Sequence, residues 1–204
     1  MIVCVDVQHI GKRNRPNDRG AFAFGRTEVS FTEAYGTAIK DILEGMGHKV
    51  YLSIESLTDG ILDGNYGERH DFANRVGADL YLACHVNAGA QADYSLTEIQ
   101  YNAFERTFWL AKTIAQNFRD RIPTSKAYVK RLKPANRGWS CIDGIKGGSA
   151  ILLEPFFIDN QEDHEFASTE EGIQTIAMCV TDAVQEWMEL YPELNAEEFS
   201  VTEF

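Results

Sequence analysis

Three short apolar runs that each lead to an ionisable side chain constrain this chain of 204 residues more than any other feature. IVCVDV (2–7) leads to His9, DLYLACHV (79–86) carries His85, and SAILLEPFF (149–157) carries Glu154. Runs this short and this continuously apolar suit buried strands. Between them, apolar residues recur at helical spacing. Residues 28–46 carry Phe31, Tyr35, Ala38, Ile39, Ile42, Leu43 and Met46, and Gly47 stops that helix. Residues 104–121 form a second amphipathic helix ended by Pro123, and Ser168 with Glu171 makes a capping box for a last helix reaching Leu190. KVYLSI (49–54) and LTEIQYN (96–102) read as further strands, and 68–76 as a short helix. The segments Asp59–Asn65 and Pro123–Gly148 read as loops, the second hairpin-like. Strands alternating with helices predict a single three-layer α/β domain: a central, mostly parallel twisted sheet of about six strands with helices on both faces. Sheets of that kind bind ligands beyond the carboxyl ends of their strands, which is where His9, His85 and Glu154 fall.

Composition excludes several classes. Hydrophobic residues at 44% and charged residues at 25% are ordinary for a folded domain, so the chain is neither collagenous nor disordered. No apolar run approaches the ~20 residues that span a bilayer, and the first apolar stretch lacks a charged lead-in, so membrane insertion is not expected and synthesis in the cytoplasm is. The net charge is −12, yet residues 161–204 hold twelve acids and no Lys or Arg. The body before them is balanced, with basic clusters at 12–26 and 119–137. So acidic a chain is not expected to bind nucleic acid, and no obligate protein partner is expected either. Cys4, Cys84, Cys141 and Cys179 are scattered without a CxxC pair, which predicts buried thiols and no disulfide frame.

The chemistry concentrates in a few residues. His9 and His85 follow strands, Glu154 ends one, and Glu28 opens the first helix, where a carboxylate suits the helix dipole. Two imidazoles and a carboxylate are the ligand set of an open zinc site, and a further unligated carboxylate is what such a site needs to move protons. Glu154 is the hardest to explain structurally, because a carboxylate among AILL and PFF costs several kcal/mol unless a cation, a water or a proton meets it.

At these residues the chain resembles the zinc-dependent N-acetylmuramoyl-L-alanine amidases, particularly the catalytic domains of bacteriophage endolysins. The resemblance runs from about Ile2 to Leu190 and fixes four segments in order. They are the opening strand with His9 and Gly11, Glu28 nineteen residues before Gly47, the stretch ERHDFANRVGADLYLACHVNA, and SAILLEPFFIDNQED. Gln8 and Ile10 stand where the family commonly has glycines around the first His, and Ser149 where a proline is usual; no ligand is lost. Glu33 is a rival ligand, disfavoured because five residues turn it well around the helix from Glu28.

The resemblance implies a catalytic domain over 1–191 with a C-terminal tail at 192–204. It implies one Zn²⁺ on His9, Glu28 and His85, with Glu154 as general acid and base. It also implies hydrolysis of the amide between N-acetylmuramic acid and L-alanine in peptidoglycan, reached after release from the producing cell. Asn87 and the basic residues of Arg13–Arg26 are candidate substrate contacts. A wall-binding module of the same fold without turnover is the alternative, and a nucleotide-binding domain is disfavoured because QHIGKRN is no phosphate loop. Arg69 is expected to pair with an acid or hold a loop carbonyl, and Asn74 and Asn160 to fix loops. His48 and His70 are expected at the surface or in packing, and His164 on a solvated face.

Overall fold

The structure is a computed structural model that describes residues 1–11, 15–58, 65–89, 92–124 and 126–195. Expectations for Lys12 and Arg13, most of Asp59–Asn65 and the end of the tail lie outside the described residues. Strand β1 (Ile2–Val7) is followed by a two-residue hairpin, β2 (Phe22–Ala23) and β3 (Arg26–Thr27), and then by helix α1 (Glu28–Gly45). Next come β4 (Lys49–Leu52), α2 (Ser53–Thr58), α3 (Tyr66–Arg75), β5 (Leu80–Cys84) and β6 (Ser95–Gln100). Helix α4 (Glu105–Arg121), β7 (Ala127–Leu132), β8 (Ser149–Glu154), α5 (Gln161–Ala167) and α6 (Glu170–Leu190) complete the domain.

Six strands form one sheet in the order β4-β1-β5-β8-β6-β7. The first four run parallel, β6 is antiparallel to β8, and β7 is parallel to β6. Alternation within the buried strands sorts their side chains onto two faces. Val3, Val5, Val7, Leu82, Ile151 and Leu153 pack under α1, α4 and α6. Cys4, Tyr81, Ala83 and Leu152 pack on the other face against Phe72 and Ala73 of α3 and against Cys141 and Ile142. The chain leaves β1 for β4 on one side, then returns to β5 on the other. The carboxyl ends of β1 and β5 therefore flank the reversal of strand order, the crevice where open α/β sheets bind ligands.

The elements start and stop for local reasons. α1 ends at Met46, with Gly47 left-handed at φ 89°. α3 begins with a capping box between Asn65 and Glu68. α6 is capped one residue later than expected, because Thr169 rather than Ser168 accepts the Gly172 amide at 2.9 Å. β4 stops at Leu52, short of the strand expected to 54: the Ser53 hydroxyl accepts the Val7 amide at 2.9 Å, and α2 begins there.

Several elements went unforeseen, among them the β2–β3 hairpin, α2, β7 and α5. β7 lies in the expected hairpin-like segment yet pairs parallel to β6, from Ser95↔Ala127 to Gln100↔Leu132. It is an edge strand carrying Lys130 and Arg131, so its apolar signal is diluted. α5 has seven residues and no apolar period; Asn160 caps it by accepting the Asp163 amide at 3.2 Å. His164 on α5 is buried, not solvated: its Nδ1 meets the Ile158 carbonyl at 3.1 Å and its ring meets Phe31. Asn74 fixes a loop as expected, donating to the Gly144 carbonyl and accepting from the Lys146 amide, both at 2.8 Å. Among the described residues, no helix is long and apolar enough to cross a membrane.

Candidate metal centre

The crevice is built from the segments just beyond β1 and β5. After β1 the chain turns sharply, with His9 itself left-handed at φ 61°, a conformation that costs a non-glycine residue about 1–2 kcal/mol. The cost aims the imidazole inward. Its Nδ1 is held by Asp18 Oδ1 at 2.8 Å and its Nε2 lies 3.3 Å from Glu28 Oε1. Asp18 is in turn fixed by the Gly20 amide at 3.0 Å. This Asp–His pairing is the usual device for setting the tautomer and orientation of a metal-facing histidine. Nothing in the sequence marked Asp18 beyond its being a lone acid among bases.

Glu28 is positioned by both the hairpin and α1. Its amide donates to the Ala21 carbonyl at 2.7 Å, and its Oε2 accepts the Ala21 amide at 3.0 Å. Gly20 packs so closely on the Glu28 side chain that an added Cβ would stand 2.6 Å from Glu28 Cβ, so a side chain there would displace the carboxylate. The other oxygen, Oε1, accepts the Val86 amide at 3.0 Å and meets His85 Nδ1 at 3.1 Å. Glu33, the rival ligand, is exposed on the far side of α1.

His85 follows β5. The Tyr35 hydroxyl donates to its carbonyl at 2.9 Å, its amide donates to the Leu153 carbonyl at 2.9 Å, and its ring stands edge-on to His9 with centroids 5.2 Å apart. Its outer nitrogen, Nε2, faces Cys141 Sγ at 3.4 Å. Ligand atoms of His9, Glu28 and His85 all lie within 4.8 Å of one another, close enough to share one cation. Burial alone would raise the Glu28 carboxyl, but hydrogen bonds and charge from His85 and His9 outweigh it and hold it well below the usual carboxylate range. Burial would lower His85, yet hydrogen bonds and charge from Cys141 and Glu28 raise it to about 10.

Glu154 ends β8 beside this group, one residue past the Cys84↔Leu153 pairing of β5 and β8. Its Oε2 is buried without a hydrogen bond. Burial is the main reason its carboxyl is pushed up to about 7; nearby Glu98 and Glu28 add to the rise and His85 opposes it. Asn87 sits two residues past His85. Its backbone ties the loop after β5 to the loop after β8 through the Phe156 carbonyl and the Ile158 amide, and its Oδ1 accepts the Ala88 amide at 2.9 Å. Of the basic residues offered as substrate contacts, Arg26 lies 4.0 Å over the Phe31 ring.

The donor set fits zinc. Two imidazole nitrogens and one carboxylate make an N,N,O set suited to that ion, and three protein ligands leave a position for substrate or water. A mostly parallel α/β sheet with such a group at its switch point, beside an unsatisfied carboxylate, makes a site able to hold a metal ion. The sequence profile of the N-acetylmuramoyl-L-alanine amidase family matches residues 3–186, and the chain belongs to that family. Membership assigns it peptidoglycan amidase activity.

Solved structures share the fold at low sequence identity. An N-acetylmuramoyl-L-alanine amidase from Clostridium difficile 630 superposes with a TM-score of 0.77 at 18% identity, covering 92% of this chain and 96% of that one. The amidase AmiC2 of Nostoc punctiforme gives 0.70 at 20% identity, over 93% and 97%. The catalytic domain of CwlV from Bacillus (Paenibacillus) polymyxa var. colistinus gives 0.69 at 18%, over 92% and 98%. No curated protein matches the chain in sequence.

Proposed function

We propose that this amidase is zinc-dependent, with His9, Glu28 and His85 as ligands and Glu154 as the proton carrier. We propose that it cleaves the bond between N-acetylmuramic acid and L-alanine of the stem peptide. The observation that carries this reading is the convergence of three donor side chains within 4.8 Å, beside a carboxylate whose buried oxygen has no partner. Zinc in such a set supplies a Lewis acid that polarises the scissile carbonyl and acidifies water.

The chain's own residues supply the rest. Glu28 is ionised throughout the neutral range, so with two neutral imidazoles it lowers the charge of the divalent site to +1. Asp18 holds the His9 ring at the far nitrogen. Glu154, with its carboxyl raised to about 7, takes a proton from the attacking water and returns it to the departing alanine nitrogen, so the proton count balances. Asn87, on the loop after β5 and bonded through its backbone to the loop after β8, is the proposed substrate contact through its Nδ2 donors. A lytic role of the phage endolysin kind is the finer part of the reading, supported by the resemblance of the four sequence segments.

Digestion of purified peptidoglycan by zinc-loaded protein, followed by mass spectrometry, tests the reaction. The expected products are stem peptides with new L-alanine amino termini, and lysis of intact walls by added enzyme. His85→Ala is expected to lose zinc and at least ~10³-fold in rate, the order expected when an essential Lewis acid is removed. Stoichiometric zinc in that variant would remove His85 from the ligand set, and unaltered walls under wild-type enzyme would end the lytic assignment.

A further inference from the structure

We infer that Cys141, on the loop that covers the α3 face of the sheet, is the positioning residue of His85. On this reading its sulfur accepts the Nε2 hydrogen and so leaves Nδ1 for the metal. The inference rests on the proposed zinc site and deepens it.

A neutral imidazole carries a single N–H, so a ring that gives one nitrogen to a cation must keep its hydrogen on the other. His85 turns Nδ1 toward the cluster, 3.1 Å from Glu28 Oε1, and Nε2 toward Cys141 Sγ, at 3.4 Å. His9 is arranged the other way round, with Nε2 toward Glu28 and Nδ1 on Asp18. Each ring is therefore held at its far nitrogen, one by a carboxylate and the other by a thiol. Such far-nitrogen partners orient metal-binding histidines and set their affinity.

The thiol is not placed by chance packing. Its residue closes a short 3-10 helix, Trp139–Cys141, and is anchored on both sides. The Cys141 amide donates to the Gly138 carbonyl at 3.0 Å, and its own carbonyl faces His70 Nε2 at 3.0 Å. The next residue, Ile142, is fully buried and its carbonyl accepts from Gln100 Nε2 at 2.6 Å. Gly138 packs against Leu152 and Glu98, where no larger residue fits without displacing them. The Tyr66 side chain also hydrogen-bonds Cys141, so the sulfur belongs to a run from Tyr66 through Cys141 and His85 to Glu28.

The experiment compares wild type with Cys141→Ser, Cys141→Ala and Cys141→Val as full-length chains. Zinc affinity is read by chelator competition, and the His85 ring by long-range nitrogen–proton NMR of the zinc-loaded protein. The Ala and Val variants are expected to bind zinc about 10–100-fold more weakly, and Ser, which keeps an acceptor, to recover most of the affinity. Val keeps the volume and decides the matter should Ala fail to fold. The wild-type spectrum is expected to show His85 protonated at Nε2 and metallated at Nδ1. Full zinc affinity in both Ala and Val, or coordination through Nε2, would overturn the inference while leaving the zinc reading intact. A wild-type chain that takes up no zinc would overturn both.

Discussion

Two buried carboxylates near the end of β1 are handled in opposite ways. Asp6 is 1% exposed and Glu28 is 3% exposed, so neither can rely on bulk water. Asp6 is matched inside the protein: Arg69 Nη1 lies 2.6 Å from its Oδ1, and Tyr81 and Gln8 donate to its Oδ2. Arg69 also donates to the carbonyl of Val7, the last residue of β1, at 3.2 Å, so it pairs with an acid as the sequence suggested but holds a strand carbonyl and not a loop one. That cluster carries its own permanent cation. Glu28 meets two imidazoles instead, and an imidazole, unlike a guanidinium, can give up its proton to make way for a metal ion. The charge on Glu28 is therefore available to a cation from outside, whereas that on Asp6 is already spent.

The comparison breaks most severely at Arg69. Replacing it with Ala strands Asp6 in the interior and is expected to cost on the order of 3–5 kcal/mol in denaturant unfolding, with or without zinc. A loss under about 1 kcal/mol would mean that Asp6 finds water or a proton, and the contrast would fail. Arg69→Ala together with Asp6→Asn should recover part of the loss.

Glu154→Gln probes the other side. It is expected to keep zinc and to slow turnover by ~10²-fold or more, as loss of a general acid and base does. It should also stabilise the metal-free fold. The folded-state carboxyl, at about 7, lies above its unfolded value, so the unfolded chain releases its proton first and stability falls as pH rises from about 4.5 to 7. Gln removes that penalty, which gives a gain on the order of 2–3 kcal/mol at pH 8 and little at pH 4. Thermal melts at the two pH values check it, and equal shifts at both would deny the raised carboxyl.

The smallest expected effect is at Asp18. Asp18→Asn keeps a hydrogen-bonding partner for His9 but loses the charge, and zinc affinity is expected to fall by roughly tenfold. Chelator competition reads it directly. An unchanged affinity would mean that the left-handed backbone of His9 orients the ring unaided.

Much of this was legible along the chain, because apolar strands announce themselves and their ends are where ionisable residues stand out. His9, His85 and Glu154 were visible as polar interruptions of apolar runs, and Glu28 as the acid that opens a helix. What the sequence hid is long-range or short. Cys141 meets His85 across 56 positions, and no local pattern separates it from the other buried thiols. Asp18 acts through a loop whose path is set by the hairpin packed on α1. His164 lies among acids that suggest a solvated face, yet one turn of α5 carries it under Phe31. β7 and α5 escaped because an edge strand studded with cations and a seven-residue helix have too little apolar periodicity to register.

Glu28 holds three posts at once: first residue of α1, latch of the hairpin through Ala21, and donor in the crevice. Fraying of a single turn at that end of the helix would unlatch the hairpin and withdraw the carboxylate together. Neither could then be lost or regained without the other. The slow exchange of one amide hydrogen, that of Ala21, would thus report the integrity of the whole centre.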